Sequence, residues 1–147
     1  MSTSQPVHTA MIEHEIKTAA TPEQVRQALT TGDGLSAWYG AGTSASSPES
    51  GDVVFRVPRH PMFRWNVNQA DTTQVVWTCV EGPGRSAGTK VMYESAVGTD
   101  GRTTVRLTHS GWDADDEAFR RCNTYWGALM FQLERYLETG EHRPVFS

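Results

Sequence analysis

This chain has no long hydrophobic run, few cysteines and little net charge, and each shortage removes a class of function. No apolar stretch approaches the roughly 18 residues that a membrane-spanning helix needs, so membrane insertion is not expected. The opening residues, MSTSQPVHTA, lack both a basic and an apolar segment; no secretory signal is read, and a cytoplasmic location is expected. The net charge of −4 offers no attraction to nucleic acid or to an anionic membrane. Only two cysteines occur, Cys79 and Cys122, and neither lies in a CxxC pair, which argues against a redox or zinc site. Each has apolar neighbours and reads as a buried free thiol. His8, His14, His60, His109 and His142 are scattered, with no pair at ligand spacing, so no metal site is expected. GPGRSAG lacks the following helix of a phosphate-binding loop, and no GxSxG occurs, so neither a cofactor nor a nucleophilic hydrolase is indicated.

What remains is an aromatic-rich chain of 147 residues with five tryptophans, enough for one domain with its own core. The first ten residues read as a loose tail, residues 11–140 as the domain and residues 141–147 as a short tail. MIEHEIKT alternates, with Ile12, His14 and Ile16 on one face, as in a half-buried strand. In ATPEQVRQAL, Thr21 can cap a helix, Pro22 suits its first position and Gln24 completes a capping box. TTGDGLSAWYG then gives a second short helix with Leu35, Trp38 and Tyr39 on its apolar side. From about Gly42 to Gly111 the pattern is strands and turns, in DVVFRVP, FRWNVNQA, TQVVWTCVEG, TKVMYESAV and TTVRLTH. Short connections between them predict an antiparallel meander. Finally Phe119, Cys122, Trp126, Leu129, Met130, Leu133 and Leu137 recur at helical spacing, with Asp113 to Glu117 acidic ahead of them and Gly140 a natural stop. The expected fold is α+β: an antiparallel sheet of about six or seven strands around one long C-terminal helix, with two short helices after the first strand.

This order, with IKTAATPEQVRQALTTGDGLSAWYG, TKVMYESAV, TTVRLTHSGW and the closing LERYLETG, resembles the helix-grip superfamily of START-type carriers, polyketide cyclases and Bet v 1-like proteins. Within it the chain is most similar to the branch named for the activator of Hsp90 ATPase. The resemblance implies a curved sheet gripping the last helix and a cavity between them for a small apolar or amphipathic molecule. Two departures stand out. The branch often has Gly-Trp in the last helix, whereas Tyr125 precedes Trp126 here and implies bulk beside the cavity. A common glycine pair before the third strand is reduced to one glycine in ESGDVVF.

Strand parity turns Phe55, Val57, Trp65, Val67, Val75, Trp77, Tyr93, Val105 and Leu107 inward, and the helix adds Phe119, Trp126, Met130 and Leu133. The candidate ligand-contacting residues are Phe55, Trp65, Trp77, Tyr93, Leu107, Trp126 and Met130 from this set, joined by Trp38, Tyr39 and His109, with Tyr39 a candidate gate. Arg56, Arg64 and Glu94 have the opposite parity and should face solvent. The same bulky rings would equally make a solid core. His109 poses the sharpest question, because RLTHSGW ends a buried face with a titratable ring, then breaks at Gly111 and plants Trp112. An imidazole there could orient a ligand or act as a base. The stronger reading is that it bonds a backbone carbonyl and fixes the strand-to-helix corner, with Trp112 plugging the core. Three functions follow: a carrier or sensor of a small hydrophobic ligand without turnover, a cyclase, dehydratase or hydrolase using His109 with Tyr93, and a module that meets a chaperone. A homodimer is compatible with each.

Overall fold

A computed structural model describes residues 9–41, 43–45, 51–54 and 63–146; for residues 44–45, 51–52 and 54 only the backbone is considered. Phe55, Arg56 and Val57 lie outside the described residues, as do the first eight residues and most of the RHPMF turn.

The chain runs β1 (Thr9–Thr18), α1 (Pro22–Thr30), α2 (Gly32–Trp38), β2 (Ser44–Ala45), β3 (Gly51–Val54), β4 (Arg64–Ala70), β5 (Gln74–Glu81), β6 (Lys90–Val97), β7 (Thr103–Asp113) and α3 (Glu117–Thr139). All seven strands form one sheet in the order β1-β7-β6-β5-β4-β3-β2, and every neighbouring pair is antiparallel. Five strands are long; β2 and β3 form a short ribbon of two and four residues at one edge. The α+β expectation of a sheet with one long closing helix holds.

Local signals account for the helices. Thr21 Oγ1 accepts from Gln24 N–H at 3.2 Å while Gln24 Oε1 accepts from Thr21 N–H at 2.8 Å, the reciprocal capping box that starts α1. The α3 helix starts one turn later than the acidic run suggests: Asp116 is its cap, accepting from Ala118 N–H, while Asp113 belongs to β7 and pairs with Arg85. Gly140 ends it at φ 76°, a left-handed cap that a side chain would strain. Ala118, Cys122, Trp126, Leu129, Met130 and Leu133 make its buried stripe, and each large side chain withdrawn from water stabilises the fold by about 1.5–3 kcal/mol.

Three boundaries differ from expectation. β1 begins at Thr9, because Thr9 and Ala10 pair with Asp113 and Trp112. β7 does not break at Gly111 but bulges there: Ile12 pairs with His109 and Ala10 with Trp112, so β7 holds one more residue than β1 across that interval. Gly111 takes φ 89°, which a glycine tolerates. The extra residue resets the alternation, so that both His109 and Trp112 face the core at 0 % exposure. The short tail after residue 140 packs onto the domain. Arg143, Val145 and Phe146 donate backbone N–H groups to the carbonyls of Ala37, Trp38 and Tyr39, and Phe146 is buried.

Candidate functional site

The inward positions of four adjacent strands and of α3 meet in a closed circuit of rings. Trp65 stands on β4, Trp77 on β5, Tyr93 on β6 and His109 on β7, each placed inward by alternation. Trp126, on the buried stripe of α3, closes the circuit. Ring centroids lie 6.1 Å apart from Trp126 to Tyr93, 5.2 Å to Trp77, 5.7 Å to Trp65, 5.6 Å to His109 and 6.0 Å back to Trp126. Leu107 and Met130 are buried in the same core.

His109 is held at both nitrogens. Trp126 Nε1–H donates to His109 Nδ1 at 2.9 Å. An indole nitrogen can only donate, so Nδ1 is the bare acceptor and the ring proton sits on Nε2. That proton is donated to Thr89 Oγ1 at 2.7 Å, and the Thr89 hydroxyl in turn donates to the Ser86 carbonyl at 2.6 Å. Burial pushes His109 down to about 3, so the ring is neutral at physiological pH. The expected bond from His109 to a backbone carbonyl is therefore replaced by two side-chain partners, with Thr89 relaying to a carbonyl. Thr89 and Ser86 had no signal in the sequence, since they lie in the turn ahead of β6, and Val91, not either of them, pairs with His109. No bond joins His109 to Tyr93, and neither imidazole nitrogen is left to take a proton from a substrate.

Other candidates sort by their partners. The Trp38 indole N–H donates to the Ala28 carbonyl at 2.9 Å and ties α2 to α1. Tyr39, the candidate gate, is buried between Trp126, at 5.8 Å, and Phe146, at 5.7 Å. Burial raises its phenol well above the usual value. Tyr93 is likewise raised by burial, and then by the nearby Tyr39. Tyr125, the residue expected to crowd the interior, turns outward against Phe146 at 5.1 Å and leaves the inner face to Trp126. Glu94 is exposed, and Arg64 reaches the exposed Glu81, as parity predicts.

Inside the circuit, Trp77 Nε1 and Tyr93 Oη have no hydrogen-bond partner and essentially no accessible surface. A buried donor left unmade costs about 1–3 kcal/mol, so the arrangement holds polar groups that the fold itself does not use. The surrounding walls close on both atoms. Cys79 and Cys122 are free and buried; Cys122 is pushed up to about 12, mainly by burial, which makes it a poor nucleophile.

A curved antiparallel sheet closed by one long helix, with an aromatic interior between them, defines a helix-grip domain. The sequence matches the model of the family described as activator of Hsp90 ATPase homolog 1-like protein over residues 19–138, and the chain belongs to that family. Among solved structures it is similar to the Aha1 dimer from Colwellia psychrerythraea, with 29% identity and TM-score 0.79 over 89% of this chain and 98% of that one. DynU16, a protein of the dynemicin biosynthetic locus, shares the fold at 19% identity and TM-score 0.72, over 90% of this chain and 48% of that one. A Mesorhizobium loti protein shares it at 16% identity and TM-score 0.74, over 87% of this chain and 96% of that one. No curated protein matches the sequence. No helix among the described residues is long and apolar enough to cross a membrane.

Proposed function

We propose that this protein binds a small hydrophobic or amphipathic molecule between the sheet and α3, as a carrier or sensor without turnover. The observation that carries the reading is the pair of unpartnered donors, Trp77 Nε1 and Tyr93 Oη, inside an otherwise apolar aromatic circuit. Such a pair suits a ligand that brings its own acceptor, and apolar walls with few polar groups are what a small-molecule site uses. Binding is favoured over catalysis because His109, the only inward imidazole of the circuit, has both nitrogens engaged. Native mass spectrometry of gently purified protein, compared with its denatured mass, tests the reading. A reproducible additional mass of a few hundred daltons that disappears on denaturation supports it. A bare mass, together with no thermal shift from a panel of apolar ligands, argues for a solid core.

A second reading concerns assembly and is independent of the first. The Colwellia Aha1 at 29% identity was solved as a dimer, and α3 exposes Phe131 and Tyr125 on its outer side. A homodimer is favoured on that ground, and light scattering on the full chain decides it by mass.

A further inference from the structure

Every buried side-chain nitrogen or oxygen without a partner among the described residues is a donor: the indole N–H groups of Trp65, Trp77 and Trp112, the Tyr93 hydroxyl, and Arg64 Nε on the outer side of β4. Indoles cannot accept, and a phenol is the one member of the set that can do both. Three interior acceptors are already occupied. His109 Nδ1 takes the Trp126 proton, Thr89 Oγ1 takes the His109 proton, and the Ser86 carbonyl takes the Thr89 proton. Nor is there charge to meet a charge, since the buried polar residues are threonines, one serine and neutral His109.

On the ligand-binding reading above, we infer that the polar group the ligand buries is an uncharged hydrogen-bond acceptor, a carbonyl or ether oxygen on a flat apolar frame. The oxygen accepts from Trp77 Nε1 and Tyr93 Oη, and the frame lies against the rings that meet edge to face, Trp77 on Tyr93 and Trp126 on Tyr93. A cation finds no counter-charge and only the Tyr93 oxygen to accept from it. An anion finds donors but must lose its hydration with no positive group in reach. An alcohol can accept from the indole, yet its own proton has only the Tyr93 oxygen to go to, so it ranks between a ketone and a hydrocarbon.

Four tricyclic probes of one shape separate these cases: fluorene, fluorenone, 9-fluorenol and 9-aminofluorene, titrated against the full chain by tryptophan fluorescence. Fluorenone is expected to bind at least about tenfold tighter than fluorene, with fluorenol intermediate and the protonated amine weakest. Its carbonyl stretch should move to lower frequency in the complex, a readout on the unaltered protein. Trp77→Phe and Tyr93→Phe should each lower the advantage of fluorenone several-fold and leave fluorene unchanged, with circular dichroism confirming the fold. Equal binding of fluorene and fluorenone leaves the ligand-binding reading standing and overturns the acceptor inference. Tighter binding of the amine overturns it as well. Failure of all four to bind removes the ligand-binding reading and this inference with it.

Discussion

The indole N–H of Trp126 points its proton at Nδ1 of His109 across 2.9 Å, and this one bond decides how the core behaves toward acid. With Nδ1 occupied and Nε2–H given to Thr89, a second proton on the ring has to break the Trp126 bond and face indole N–H instead. Burial brings His109 down to about 3. The unfolded chain holds an ordinary histidine near 6.5. Below about 6.5 the unfolded chain takes up a proton that the folded chain refuses, so the stabilisation is complete above that pH and is lost as pH falls toward 3. The slope is up to ~1.4 kcal/mol per pH unit in that window. Denaturant unfolding between pH 4 and pH 7 should show it, and His109→Gln should flatten it. The His109 ring should also report the Nε2–H tautomer in nitrogen-15 spectra down to pH 5; a midpoint near 6.5 would mean the ring is solvated.

Removing the ring should cost more than removing its partner. His109→Leu leaves the Trp126 N–H without its acceptor and the Thr89 hydroxyl with only its bond to the Ser86 carbonyl in a dry interior, an expected loss of about 2–4 kcal/mol. Thr89→Val removes both bonds of the hydroxyl, the one from His109 and the one to the Ser86 carbonyl, keeps the volume, and should cost about 1–3 kcal/mol. Chemical denaturation of both variants and their double mutant measures the coupling, which is expected to be clearly non-additive. Additive losses would mean that the relay from His109 through Thr89 to Ser86 does not hold in solution.

The bulge carries its own test. A methyl group added at Gly111, where φ is 89°, would sit 3.6 Å from Thr89 Cα, an ordinary contact distance. The cost of Gly111→Ala is therefore conformational, about 1–2 kcal/mol, and Gly111→Val should exceed it because a β-branched residue resists the left-handed region more. If alanine is neutral, the backbone has a second way to bring both His109 and Trp112 inward.

The elements were largely legible because their periods were strong. Ile12 and Ile16 alternate on β1, Trp77 and Cys79 on β5, and the α3 stripe repeats at helical spacing, so local pattern and burial agree. Two things were hidden. The bulge depends on pairing: nothing in RLTHSGW distinguishes a strand that stops at Gly111 from one that gains a residue against Ile12 and Ala10. The C-terminal segment HRPVF has no period of its own, and it is held by backbone bonds to Ala37, Trp38 and Tyr39 that no side-chain pattern announces. The inward aromatics of the site were legible as a set. Which of their polar atoms are engaged was not, because that depends on pairs such as Trp38 with Ala28 and Trp126 with His109.

The thiols should be inert in the folded chain. Burial raises both cysteines, Cys122 to about 12, and thiolate is the reactive form. Reaction with a disulfide reagent at pH 8 should be slow and should accelerate with denaturant in step with unfolding. Fast labelling of either residue in native buffer would show that the sheet and α3 separate readily near Cys79 or Cys122.

The unpartnered donors make the most unusual stability prediction. Tyr93→Phe deletes a hydroxyl that has no partner and no accessible surface, so the ligand-free protein should be unchanged or stabilised by up to about 1 kcal/mol. Trp38→Phe provides the contrast, since its N–H is bonded to the Ala28 carbonyl; losing that bond and part of the ring should cost about 2–4 kcal/mol. Both variants keep an aromatic ring in a buried site, so thermal melts in matched buffer compare a donor that the fold uses with one that it does not. A Tyr93→Phe loss as large as that of Trp38→Phe would mean the Tyr93 hydroxyl is engaged by the fold itself. It would then be unavailable to a ligand.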